Sequence, residues 1–153
     1  MKTIISTVVI ALALTAGVIA TPAPAMTLED AIEARCDGNP SRPAARSTLG
    51  GRLKGVTCRE AVEMDRAAVK LMELGHMHGE AAIDGHPIGE DLSFNRCIAL
   101  LRSQAYYIAA DELRSGNRNP MSVYNSLVTQ GYNHTLSERR KGNPHYCRFS
   151  NSM

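Results

Sequence analysis

The sequence predicts an all-α fold, a small bundle of about four helices stapled by two disulfides. Three observations carry this. Apolar residues recur at three-and-four spacing in several segments, capping signals open those segments, and the four cysteines follow a leader that reads as an export signal. No segment carries a convincing β pattern, and no internal repeat is visible.

The leader has the parts of a secretory signal in order. Lys2 supplies the positive start, Ile4 to Leu14 form an uncharged apolar run, and Ala23-Pro24-Ala25 place small residues where a signal peptidase requires them. Cleavage is expected before Met26, with Ala20 as an earlier alternative. A membrane span needs roughly 20 consecutive apolar residues, and Gly17, Pro22 and Pro24 interrupt this one, so no stable membrane insertion is expected. The organisation read here is therefore a signal peptide over residues 1–25 and one helical domain over residues 26–153. The destination is periplasmic or secreted.

Export gives the cysteines their meaning. Cys36, Cys58, Cys97 and Cys147 form an even set in an oxidising compartment, which reads as two disulfides and leaves no thiol for catalysis. Three pairings are possible, and spacing does not choose among them. No CxxC zinc pattern occurs. With no Trp and two Phe, the core must come from Leu, Ile, Val, Met and Ala, and crosslinks matter to so modest a core.

The helices follow in order. Thr27-Leu28-Glu29-Asp30 has capping-box spacing and opens a short helix ending near Cys36. Residues 37–56, rich in Gly, Pro, Ser and Arg, read as a long loop, either tied down by the cysteines that flank it or mobile. Thr57-Cys58-Arg59-Glu60 is a full capping box whose helix is expected to reach about Leu74, with Cys58, Ala61, Val62, Val69 and Met72 on one stripe and Met64, Ala68, Leu71 and Leu74 widening it. Gly75 and Gly79 are read as loosening the chain before the loop at residues 84–89. Phe94, Cys97, Ile98, Leu101, Ala105, Ile108, Ala109 and Leu113 then mark a third helix, ended by Ser115-Gly116-Asn117. Within it, one of Tyr106 and Tyr107 should pack while the other reaches the surface. Asn119-Pro120 opens a fourth helix with Met121, Tyr124, Leu127 and Val128 inward, ending at Gly131. Residues 132–153 are read as a basic tail.

Charge is segregated along the chain. Residues 35–59 hold six basic and one acidic residue, residues 60–91 two basic and eight acidic, and residues 114–153 six basic and one acidic. Solvated faces or mutual neutralisation account for this pattern without a nucleic-acid partner. His76, His78, Glu80, Asp84 and His86 are the densest candidate metal ligands. On a continuous helix His76 and His78 point about 200° apart, whereas His76 and Glu80 share a face; the alternative is a solvated helix end. No GxSxG, HExxH or phosphate-binding glycine loop occurs. The chain is read as non-enzymatic, with no cofactor and a protein as its partner.

The stretch Val56-Thr57-Cys58-Arg59-Glu60-Ala61-Val62-Glu63-Met64-Asp65, followed by Cys97, resembles the HdeA/HdeB-type periplasmic acid-stress chaperones over residues 56–113. That resemblance implies a Cys58–Cys97 disulfide, Thr57 as helix cap and basic flanks around the folded part. The expected arrangement is then nested, Cys58–Cys97 inside Cys36–Cys147, contributing roughly 4 and 5 kcal/mol on the chain-entropy model. The outer bond would join the two basic flanks. The chain departs from the family in having Ala61-Val62 where an aromatic is expected, no Trp, and a second cysteine pair. The implied activity is binding of unfolded clients by a protein that is folded near neutrality, with a homodimer as the expected assembly. Its pH-responsive acidic centre would be Glu60, Glu63, Asp65, Glu73, Glu80, Asp84, Glu90 and Asp91, whose protonation leaves Arg and His repulsion to loosen the packing. A rival expectation is an immunity protein that blocks a secreted toxin such as a type VI amidase effector. It is suggested by Leu74-Gly75-His76-Met77-His78-Gly79 and the late Cys147, with residues 84–91 as the inserting loop.

Overall fold

The computed structural model describes residues 26–87, 90–143 and 146–147. The leader at 1–25 lies outside the described residues. Four helices, α1 (Leu28–Cys36), α2 (Cys58–Ile83), α3 (Phe94–Arg114) and α4 (Pro120–Arg140), are joined by short connections, with a two-stranded hairpin, β1 (Pro43–Arg46) and β2 (Arg52–Thr57), between α1 and α2.

Local chemistry explains where the helices begin. Thr27 and Thr57 each close a full capping box, with Asp30 and Glu60 respectively returning a bond to the cap backbone. Ser93 caps α3 through its hydroxyl, and Pro120 opens α4 at a position where its missing N–H costs nothing.

α2 and α3 are antiparallel. Met64 and Ala68 pack with Ala110 and Leu113 at one end, and Arg96 donates to the carbonyls of Ala82 and Asp84 at the other (3.2 and 2.9 Å). Between these ends the helices approach closely. A Cβ on Gly75 would lie 3.1 Å from the Tyr107 ring and 3.3 Å from the Ser103 carbonyl, and one on Gly79 would lie 3.0 Å from the Ser103 hydroxyl. These glycines do not loosen the chain after Leu74, as the sequence suggested. They let a 26-residue helix run on to Ile83 against its neighbour. Ala61, Ala68, Gly75 and Ala82, seven residues apart, are all buried along this seam.

Three further expectations are corrected. The segment read as a loop at 37–56 carries the antiparallel hairpin, with Pro43 opposite Thr57, Ala44 opposite Val56, and Arg46 opposite Arg52. Leu53 and Val56 enter the core beside Ala61 and Met64; the left-handed Gly55 (φ 64°) between them breaks the period-two alternation that marks a strand. α4 does not stop at Gly131 but passes Leu101 there and continues to Arg140, so residues 132–140 of the expected tail are helical. Val69, Leu74, Ile108 and Met121, expected inward, are exposed.

The disulfides are sequential, not nested: Cys36–Cys58 and Cys97–Cys147, each with Cα atoms 5.8 Å apart. The reason is the antiparallel α2–α3 pair. Cys97 lies near the Ala82 end of α2, and the 24 residues from Cys58 to Ala82 rise about 36 Å, far beyond a disulfide's span. The hairpin instead returns the chain to the end of α1, with the Cys58 amide on the Arg42 carbonyl (2.8 Å) and the Arg59 amide on that of Pro40 (3.0 Å). At the far end Leu92 and Cys97 pack with Ile83, Leu100 and Cys147. The loops closed, of 22 and 50 residues, correspond to about 3 and 4 kcal/mol on the chain-entropy model. Two disulfides favour an oxidising, exported environment. Among the described residues no helix is long and apolar enough to cross a membrane.

Two outcomes check this packing. A non-reduced peptide map should recover Cys36 joined to Cys58 and Cys97 joined to Cys147, and no Cys58–Cys97 species. In urea denaturation, Gly51→Ala should cost about 3 kcal/mol, because its Cβ would fall 1.7 Å from the Arg114 carbonyl oxygen. Gly131→Ala meets only the Leu101 side chain, at Cδ1, Cδ2 and Cγ, which can turn aside, and a helix-propensity gain of about 1 kcal/mol should leave it near neutral.

Candidate functional site

Thr57 fixes the start of α2, and two turns later the helix delivers Asp65 to the junction of α1, α2 and the hairpin. Asp65 is 7 % exposed. Its carboxylate accepts from Arg35 Nη1 (2.6 Å), the Thr48 amide (2.8 Å), the Thr48 hydroxyl (2.6 Å) and the Ser47 hydroxyl. Ser47 and Thr48 stand at the hairpin tip, where the Ser47 amide donates to the Gly51 carbonyl (2.8 Å). Arg35 also donates to the Arg46 carbonyl (2.6 Å), so one guanidinium joins α1, the hairpin and α2. From the far side, Arg114 of α3 reaches the Leu49 carbonyl.

Burial acts to raise the Asp65 pKa. The donors from Ser47, Thr48 and Arg35 outweigh it, and the net direction is downward from the ordinary aspartate value. Asp65 is a charged latch holding the hairpin tip and α1 to the body of the protein.

Beside the latch lies an open groove of about 740 Å³. Ala31 and Ala34 of α1, Val62 and Val69 of α2, and Leu49 of the hairpin tip supply its apolar lining, with Met26 at one end and Arg66, Lys70 and Glu73 on α2. Arg66 donates to the carbonyls of Met26 and Thr27, fixing the chain as it enters α1.

The eight acidic residues of the expected centre do not gather. Glu60 belongs to the α2 cap and meets Arg118 (3.1 Å), Glu63 lies 4.0 Å from Arg59, and Glu80 lies 3.2 Å from His76. Glu73 is exposed on the groove side of α2, Asp84 caps its C-terminus, and Glu90 and Asp91 are exposed beyond it. Backbone and hydroxyl bonds at Thr57 lower the Glu60 pKa. Bonds from Arg59, Thr27 and Lys141 do the same for Glu29, Asp30 and Glu138. The eight carboxylates are thus dispersed, and Asp65 alone among them is buried.

The histidines also separate. His76 shares an exposed face with Glu80, as the periodicity implied, while His78 stacks on Tyr106 with ring centroids 5.5 Å apart and planes at 13°. His86 is half-buried beyond the helix end. No three His, Cys, Asp or Glu among the described residues are placed to hold a metal ion. Tyr106 packs between His78 and Tyr124 while Tyr107 is exposed, as the paired tyrosines suggested; burial and the Tyr106 hydroxyl push Tyr124 up to about 12. Of the loop at 84–91, residues 88 and 89 lie outside the described residues.

Sequence reasoning missed Arg35, Ser47, Thr48, Arg66 and Lys70 as members of a site. One signal was available: Asp65 occupies the gap in the stripe Cys58, Ala61, Val62, Val69, Met72, where an acid facing the core demands partners. No protein-family model, curated protein or solved structure matches this chain.

The latch has a definite pH dependence. Because folding lowers the Asp65 pKa, its contribution is complete above the ordinary value of about 3.9 and disappears as pH falls through the lower folded value. Asp65→Asn should therefore cost about 3 kcal/mol at pH 7. The gap to wild type should begin to narrow below about pH 4 and close as pH falls through the lower folded value, in urea midpoints measured down the pH scale.

Proposed function

We propose that this chain works in the periplasm or a secreted space as a small non-enzymatic helical protein that binds unfolded clients when acid opens it. The observation that carries this reading is the Asp65 latch, a buried carboxylate holding the N-terminal elements to α2 through four donor groups. Strong acid removes its charge, while Arg35, Arg46, Arg52 and the remaining cations stay charged.

The disulfide arrangement supports the same reading. Each bond ties one end of the molecule, and neither joins α2 to α3. The seam between the long helices is closely packed at Gly75, Gly79 and Ser103. Loss of the latch would loosen the cover formed by Leu53 and Val56 over Met64, Ala68 and Leu113. Those side chains, with the adjoining Leu71 and Met72, provide the pliable apolar surface a client binder needs. The covalent links would keep the opened chain compact enough to close again at neutral pH.

Light scattering tests this directly. The protein should suppress aggregation of an acid-denatured client at pH 2.5 and fail to do so at pH 7, with a parallel rise in binding of a hydrophobic dye. Asp65→Asn should bring client binding on at a higher pH. Absence of suppression at both pH values would refute the proposal. Capture of one stoichiometric partner at neutral pH would replace it with the immunity reading.

A further inference from the structure

The groove beside the latch is formed while the latch is closed, since Arg35, Thr48 and Asp65 are among the residues lining it. Its volume, about 740 Å³, falls within the roughly 300–1,000 Å³ of small-molecule sites. Val62 and Val69 repeat at seven residues along its floor, and Arg66 and Lys70, one turn apart, follow the same side of α2.

Charge and hydrogen bonding narrow the ligand. Of the charged residues lining the groove, Arg35 and Asp65 neutralise each other, and Arg66 is already engaged by the Met26 and Thr27 carbonyls and by the neighbouring Asp30, leaving Lys70 beside Glu73 with the unused N–H groups of Arg66. The amides of hairpin-tip residues 47–50 are all taken, which leaves none of them for an extended peptide. The Ser47 and Gly50 amides bond Gly51 and Ser47 carbonyls, the Thr48 amide bonds Asp65, and the Leu49 amide bonds the Ser47 hydroxyl. β-strand addition would need such groups free. Recognition is left to apolar contact and two cationic side chains.

We propose that this groove binds a single-chain amphiphile with an anionic head, of the fatty-acid type. The acyl chain lies along Ala31, Ala34, Val62, Val69 and Leu49, and the carboxylate is held by Lys70 with Arg66.

Calorimetric titration with dodecanoate below its micelle-forming concentration tests the assignment, using protein with both disulfides formed at pH 7. Saturable binding is expected, about tenfold tighter than that of dodecyltrimethylammonium, which reverses the head charge. Lys70→Glu, at an exposed position, should erase that preference, and Val69→Asp should abolish binding, with thermal unfolding confirming that both variants fold. No saturable binding, equal affinity for the two head charges, or an unchanged preference in Lys70→Glu would overturn the proposal. So would a concentration-dependent dimer that Val69→Asp dissociates and dodecanoate does not, since the groove would then receive a second copy of this chain. Because the titration is done with the latch closed, its failure leaves acid opening standing, and failure of acid opening leaves dodecanoate binding intact.

Discussion

The carboxylate of Asp65 decides where everything N-terminal to α2 sits. An isolated charge in that position would carry a desolvation cost of several kcal/mol. The protein meets this by surrounding the group with donors from two separate elements, Arg35 from α1 and Ser47 and Thr48 from the hairpin tip, all converging on one residue of α2. The donors depend on one another. The Ser47 hydroxyl that serves Asp65 also accepts from the Leu49 amide, and the Leu49 carbonyl receives Arg114 from α3. Removing the charge therefore unsettles the hairpin tip as a unit rather than one bond at a time.

The body beneath the latch is built on proximity instead of bulk. With large aromatics scarce, α2 and α3 gain contact by lacking side chains where they meet, at Ala61, Ala68, Gly75 and Ala82 facing Ser103 and Ala110. Close approach multiplies weak dispersion contacts along the seam, and it tolerates little extra volume. The disulfides complement this arrangement by acting at its ends. Cys36–Cys58 anchors α1 beside the start of α2, and Cys97–Cys147 returns the chain to the start of α3, where the Leu92 amide meets the Cys147 carbonyl (3.0 Å).

What was legible in the sequence was the part governed by local rules. Thr57 with Glu60 and Thr27 with Asp30 mark helix starts because a cap is satisfied within four residues, and Pro120 marks one because its fixed φ and missing N–H suit the first turn; Asn119 before it makes no side-chain cap bond. The spacing of Phe94 through Leu113 marks α3 because one face must meet a core. The failures share a cause: each concerns a residue whose role is set by a distant partner. Gly75 and Gly131 resemble helix stops until Tyr107 and Leu101 are placed against them. The hairpin was hidden because Gly55 breaks the alternation of β2 and Gly51 must sit against the Arg114 backbone. The disulfide pairing depended on helix direction, which spacing does not encode. Asp65 differs, since its position in an apolar stripe already required a partner that only the fold could identify.

The hairpin tip is at once the holder of the latch and a wall of the groove, through Thr48 and Leu49. Two equilibria that share a wall are coupled, and the coupling is reciprocal. A ligand that fits the groove only while Leu49 is held in place stabilises the closed form by RT ln(1 + [L]/Kd), about 2.7 kcal/mol at a hundredfold excess over its dissociation constant. That is comparable with the loss expected on protonating a well-bonded buried carboxylate. An occupied groove would thus lower the pH at which the N-terminal elements release, and release would empty the groove. Acidity and groove occupancy would oppose each other through a single structural element, so the acid response of the protein would depend on what it carries.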